Sequence, residues 1–469
     1  MSHTILPFQA RSYCPANRRY ESLQSQFNML KKLLSYSFAI VLVLAIMGCE
    51  TNSNKSAESS KSSAPATTNI PLRLWIVGQV SDPSLVERAW LTGSDQKLEI
   101  RVLTTQEYLS EKQCSCDVTV YPSRLLGEMI DRKWLTKLPS SLTATDEKAP
   151  QVPAAWVRQA TYGRDVWAVP LGVSVPLAIV SESAVASAAN AEDWDSLLKA
   201  LAIEAPKTVT QQIDASLVNR AALVDRYLAI VGALAQRSPD YGLLFELQKM
   251  KPRLTEPEFV RAAEILLILS QQTSDPPALP AVVGDASQAW SWINAQTTAA
   301  ITIVSPSLLT AAVANETGCK AIRVPAQGLG WNTGSGLIAS QSASCRQSAR
   351  ATELLRWLRQ SETRRTLSTL VTGIESASPT AGSDSSAWQA TNLATELAAN
   401  ASIPSELRLP RAEEYRSAVA DSLIAILSGE KPIADALAEA TAAWQIITDT
   451  RGRVLQRNDY EQSLGLVRD

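Results

Sequence analysis

The chain has 469 residues, 45% of them hydrophobic and 19% charged, with 44 Lys and Arg against 46 Asp and Glu. That length exceeds one ordinary core and fits roughly two to four domains, and the composition is globular. The net charge of −2 argues against nucleic-acid binding, and the single histidine, His3, leaves none elsewhere for Ser-His-Asp or Cys-His catalysis or a histidine-bearing metal site.

Residues 33–47 (LLSYSFAIVLVLAIM) form a mostly apolar run directly after Lys31 and Lys32. The run falls short of the ~20 residues of a comfortable membrane span and carries the basic flank of a secretory signal. The first 28 residues, with Pro7, Pro15 and Arg18-Arg19, do not suit such a flank, so Met29 is the expected start. The run ends Ile46-Met47-Gly48-Cys49, which resembles the lipobox of bacterial lipoproteins. That resemblance implies removal of residues 1–48 as a signal peptide and lipidation of Cys49; a short uncleaved anchor helix is the competing reading. Residues 50–69 are rich in Ser, Thr and Asn and bury too little to offset their ordering entropy. Residues 49–70 are therefore expected to be a lipidated cysteine and a flexible tether. This puts the rest of the chain outside the cytoplasmic membrane, held by acyl chains.

Beyond the tether, residues 72–77 (LRLWIV) read as a strand ending at Gly78. Residues 83–90 read as a helix capped by Asp82, with Pro83 at its first position. Residues 97–103 and 117–121 (DVTVY) are two further strands, and Ser123 is placed to cap the helix that follows. Strands and helices alternating through short connections predict an open α/β sheet, whose ligands bind beyond the carboxyl ends of the strands. That rule points to residues 78–81 and 121–124. Residues 166–180 (VWAVPLGVSVPLAIV) form an extended run broken by Pro170, Gly172 and Pro176, which suits a crossover between domains. Residues 218–270 read as amphipathic helices, 299–304 as a strand, 349–370 as a helix, and 413–427 and 433–448 as two more.

Four cysteines follow Cys49. Outside the cytoplasm they are free to oxidise. Residues 320–325 and 335–340 read as strands joined by a Gly-rich loop. Paired antiparallel, they would bring Cys319 and Cys345 together, and a disulfide is expected there. Cys114-Ser115-Cys116 is too closely spaced for a relaxed mutual bridge. Without histidine a metal pair is disfavoured, so two buried or free thiols are expected.

Taken in order, these segments resemble the extracellular solute-binding proteins of bacterial ABC importers, of the maltodextrin and sugar type (family 1). LRLWIVG is similar to that family's first strand, DVTVYPSRLLGEMIDRKWLTKL to its third strand and helix, and VWAVPLGVSVPLAIV to its hinge strand. AWSWINAQTTAAITIVSP and LIAILSGEKPIADALAEATAAW resemble later family segments. The resemblance implies an α/β, two-lobed periplasmic-binding-protein (type II) fold with a hinge and an interlobe cleft. Lobe one is expected at 71–172 plus 301–372, and lobe two at 173–300 plus 373–469. It further implies a lipid-anchored monomer in the cell envelope that captures a small solute, a carbohydrate in many relatives, for an ABC permease. No cofactor, metal or nucleic acid is expected, and no enzyme activity. The alternatives are an envelope sensor or interaction module on the same fold and, less well supported, an envelope enzyme.

The same resemblance places candidate ligand residues. Tyr121 ends the third strand, where sugar-binding relatives stack an aromatic on the pyranose, and Ser123 and Arg124 follow it. Gln79 and Val80 stand where such relatives put an acid and a lysine. The acid-arginine pair that follows their aromatic is missing, so the class of solute stays open. The loop 328–335 (GLGWNTGS) offers Trp331, Asn332 and Thr333 together. Gly172 and Ser174 lie on the crossover, and Ser378 in the loop after lobe one's last helix. Core packing of Tyr121 and Trp331, and a solvated Arg124, are the competing readings. No phosphate-loop motif occurs.

Overall fold

The computed structural model describes residues 70–139, 142, 153–188, 191–203, 213–214, 218–235, 242–272, 277–310, 316, 318–325, 330–375, 385–399, 403 and 407–466. They begin with β1 (Leu72–Val77), α1 (Pro83–Leu91), β2 (Leu98–Leu103), α2 (Thr105–Ser110), β3 (Val118–Pro122) and α3 (Leu126–Asp131). The Asp82 carboxylate caps α1 by accepting from the Ser84 N–H at 2.9 Å, and Pro83 occupies the first turn, where no partner for its missing N–H is needed. Next come β4 (Val169–Pro170), β5 (Leu177–Ser181), α4 (Arg220–Leu234), α5 (Pro257–Ser270), α6 (Ala286–Asn294), β6 (Ile301–Val304), β7 (Cys319–Ile322) and β8 (Leu337–Gln341). The chain closes with α7 (Ser348–Arg359), α8 (Ser361–Leu367), α9 (Ser386–Ala398), α10 (Ala412–Leu427), α11 (Ile433–Arg451) and α12 (Arg453–Ser463). No described helix is long and apolar enough to cross a membrane.

Two sheets organise two lobes. The first has the order β2-β1-β3-β8-β4; β1 runs parallel to β2 and β3, and β8 antiparallel to β3 and β4. The period-two alternation of a strand gives this sheet two buried faces. Leu72, Leu74, Ile76, Val118 and Val120 pack with α1 and α7 on one side. Trp75, Val77 and Tyr121 pack with Tyr108, Leu126 and Met129 on the other. The second sheet is β6-β5-β7, antiparallel throughout. Ala178, Val180, Ile301 and Ile303 face a core built by α4, α5, α10 and α11. Leu177, Ile179 and Val304 face α6 and α9.

Residues 166–180 divide as a crossover: β4 belongs to the first sheet and β5 to the second, and the chain crosses between lobes in the Pro- and Gly-containing stretch between them. Two expectations change. Ile301–Val304 and Cys319–Ile322, both within the span expected in lobe one, pair with β5 in the second sheet. The two strands expected to pair with each other, β7 and β8, lie in different sheets. Cys319 therefore lines the lobe-two core while Cys345 packs against the lobe-one core, and both are free thiols.

Candidate functional site

The carboxyl end of β3 carries a single turn of 3-10 helix, Ser123–Leu125, before α3. Two backbone bonds fasten it to the loop 330–336 that leads into β8: the Ser123 N–H donates to the Gly336 carbonyl and the Arg124 N–H to the Gly334 carbonyl, both at 3.0 Å. The approach demands glycine. Gly334 has φ +70°, and a Cβ there would lie 2.9 Å from that of Arg124. A Cβ on Gly336 would lie 2.5 Å from the Gly172 carbonyl oxygen. On the crossover side the Thr333 N–H donates to the Ser174 carbonyl at 3.0 Å. Asn332 Oδ1 accepts from the Gly334 N–H at 3.1 Å, and Thr333 Oγ1 from the Ser335 N–H at 3.2 Å. Ser123, Arg124, Gly172, Ser174, Asn332 and Thr333, all singled out from the sequence, thus gather around one loop.

From this loop a chain of polar side chains crosses to lobe two. Arg124 Nε donates to Glu413 Oε1 at 2.5 Å, and its Nη1 to Ser335 Oγ at 3.2 Å. Ser335 Oγ donates to Asp225 Oδ2 at 2.7 Å, and Asp225 Oδ1 accepts from Arg416. Arg124 and Ser335 belong to lobe one. Asp225 lies on α4, and Glu413 and Arg416 lie three residues apart on one face of α10. Burial alone would raise the Glu413 carboxyl, but Arg124 and Arg416 outweigh it and hold the group below its usual range. Beside this chain is a cleft of about 390 Å³ between the lobes, with Thr105, Gln106 and Leu109 on one wall and Arg220, Ala221, Ser417 and Ala420 on the other. That volume falls in the range of small-molecule sites. Sequence reasoning did not single out Asp225, Glu413 and Arg416. The one available signal was the charged pair Asp225-Arg226 inside an otherwise apolar helix.

Two aromatic expectations are corrected. Tyr121 is wholly buried in the lobe-one core, stacked near Tyr108 with ring centroids 6.1 Å apart and sharing a hydrogen bond with Ser340 Oγ at 2.8 Å. Alternation along β3 turns it to the same face as Trp75, into the core built with Tyr108 and Met129. Trp331 is 1% exposed and packs in the lobe-two core against Gly232 of α4, where an added Cβ would come within 3.0 Å of it. Among the described residues, no aromatic ring lines the 390 Å³ cleft. Ser123 does not cap α3 either. Its Oγ, the Ser174 Oγ and the Trp331 Nε1 are all buried without a hydrogen-bond partner among the described residues. Gln79 is exposed after β1, its carbonyl accepting from the Thr372 N–H at 3.1 Å. Ser378 and Cys49 lie outside the described residues.

No family model and no curated protein matches this chain. Solved structures do. The sugar-binding protein MalE from Xanthomonas citri aligns over 82% of this chain and 100% of its own, with TM-score 0.59 and 13% identity. An ABC transporter solute-binding protein from Agrobacterium radiobacter, in complex with ribitol, aligns over 81% and 98%, with TM-score 0.59 and 13% identity. Another from Thermotoga lettingae, bound with alpha-D-tagatose, aligns over 80% and 99%, with TM-score 0.55 and 15% identity. The fold is therefore that of the ABC transporter solute-binding proteins, a periplasmic-binding-protein fold of two lobes about a cleft.

Proposed function

We propose that this chain is an extracytoplasmic, lipid-anchored solute-binding protein that captures a small polar solute between its lobes and passes it to an ABC-type permease. The observation that carries the reading is the interlobe cleft at the carboxyl end of β3, where Arg124 from one lobe meets Glu413 and Arg416 from the other. A solute there would be held by charge and hydrogen bonds rather than by ring stacking. The charged side chains Arg124, Glu413 and Arg416 that line the cleft support a polar solute. No covalent chemistry is assigned to the protein.

A thermal-shift screen against sugars, polyols and small charged metabolites tests the capture role. A true ligand at ~100-fold its Kd should stabilise the fold by about 2.7 kcal/mol. Folded protein that no member of a broad library stabilises would sink the reading. The anchor rests on Lys31-Lys32, the apolar run and Gly48-Cys49. Cys49→Ser should abolish incorporation of labelled fatty acid and release the protein from membranes; a variant that still fractionates with membranes would count against lipidation.

A further inference from the structure

At the opposite end of β3 from the cleft, Cys114 and Cys116 place their sulfurs 3.1 Å apart, closer than two unbonded sulfurs normally sit. Both are buried, Cys116 completely and Cys114 to all but 4%. Above them opens a separate cavity of about 400 Å³, lined by Cys114 and Ser115 and by three cations, Arg73, Lys133 and Arg346. Arg73 is engaged with Asp117 at 3.2 Å, whereas Lys133 and Arg346 are exposed at the rim.

We propose that Cys114 and Cys116 are a thiol–disulfide exchange site whose substrates are small disulfides and thiols bearing carboxylates. The two sulfurs divide the roles. The hydrogen bond from the Cys116 thiol, helped by Ser342, holds Cys114 below the usual thiol range in spite of its burial. Burial pushes Cys116 up. Cys114 lines the cavity and is the nucleophile, while the wholly enclosed Cys116 is the resolving thiol. The Cys114 thiolate attacks one sulfur of the incoming disulfide, whose S–S bond breaks, and one thiolate leaves with the electron pair. Cys116 gives its proton to solvent and attacks the Cys114 sulfur, releasing the second thiol. The two cysteines lose two protons and two electrons, and the incoming disulfide gains them as two thiols. A bridge across one intervening residue closes a small ring, the strained and easily reduced kind that suits exchange rather than bracing. The cationic rim supplies the preference for anionic substrates.

The test treats the folded full chain with oxidised glutathione, which is anionic, or with cystamine, a cationic disulfide, and then blocks free thiols. Trypsin cuts after Lys112 and Arg124, so residues 113–124 carry both cysteines and no others. Glutathione should leave that peptide two hydrogens lighter, about tenfold faster than cystamine does. Lys133→Glu with Arg346→Glu should erase the difference. Cys116→Ser should trap one glutathione on Cys114, while Cys114→Ser should take up none, both variants having first been shown to melt cooperatively. Three outcomes would overturn the proposal: a wild-type peptide that stays fully alkylated in the folded protein, glutathione settling on Cys345 instead, or equal rates for the two disulfides.

Discussion

Glu375 is a carboxyl group in a place that suits its neutral form. It is 3% exposed and lies against the crossover, where it accepts from the Val173 N–H at 3.2 Å and from Thr395 Oγ1 at 2.6 Å. Burial raises its pKa from 4.5 to about 7, with those hydrogen bonds and Arg364 opposing the rise. The sign follows from which state holds the proton. Below about 4.5 both folded and unfolded chains are protonated there, and the group's contribution to stability is fully present. Between that value and about 7 the unfolded chain ionises first, so stability falls as pH rises and levels off above the folded value. Glu375→Gln removes the titration and keeps an oxygen for the Val173 N–H. Urea unfolding at pH 5 and pH 8 should show the wild type losing on the order of 2–3 kcal/mol more than the variant across that window. Parallel pH profiles would show that Glu375 is solvated and that the crossover is looser than described.

At the level of elements, local chemistry was readable and pairing was not. Asp82 and Pro83 start α1 as their side chains dictate, and the β-branched run 117–121 forms β3, because caps and period-two alternation act within a few residues. The partners of β7 and β8 depended instead on residues more than a hundred positions away. Both strands are near each other in sequence, yet β5 claims one and β3 the other, and the expected disulfide disappeared with the expected hairpin. The candidate site divides in the same way. Glycine requirements at Gly172 and Gly334 and the polar cluster 332–333 mark a loop held close to other backbone, which a sequence displays. Asp225 and Arg416 meet across 191 positions, and each alone reads as an ordinary charge on a helix. Tyr121 and Trp331 misled for a related reason. An aromatic at a strand end or in a glycine loop has a definite address along the chain, but which face it turns to depends on the sheet and helix behind it.

For the whole molecule, the lobes touch through charge as well as through the packing of Trp331 against Gly232. Arg124 is 7% exposed at its side chain and Glu413 27%, so their ion pair sits in a partly dry seam between lobes rather than on an open rim. Such a pair adds little over a well-packed apolar contact, but removing one partner leaves the other charge stranded. The seam therefore favours the approach of the lobes only while both members remain, and hinge opening must separate them. Glu413→Gln should open the molecule, read as a larger radius of gyration by small-angle scattering. High salt should move the wild type in the same direction but less, because the pair is partly shielded from counter-ions. Arg124→Gln should have the same effect as Glu413→Gln, and combining the two should add almost nothing. That non-additivity corresponds to a coupling of about 1–3 kcal/mol in a double-mutant cycle. Identical scattering curves for the wild type and both single variants would mean that packing alone sets the lobe arrangement.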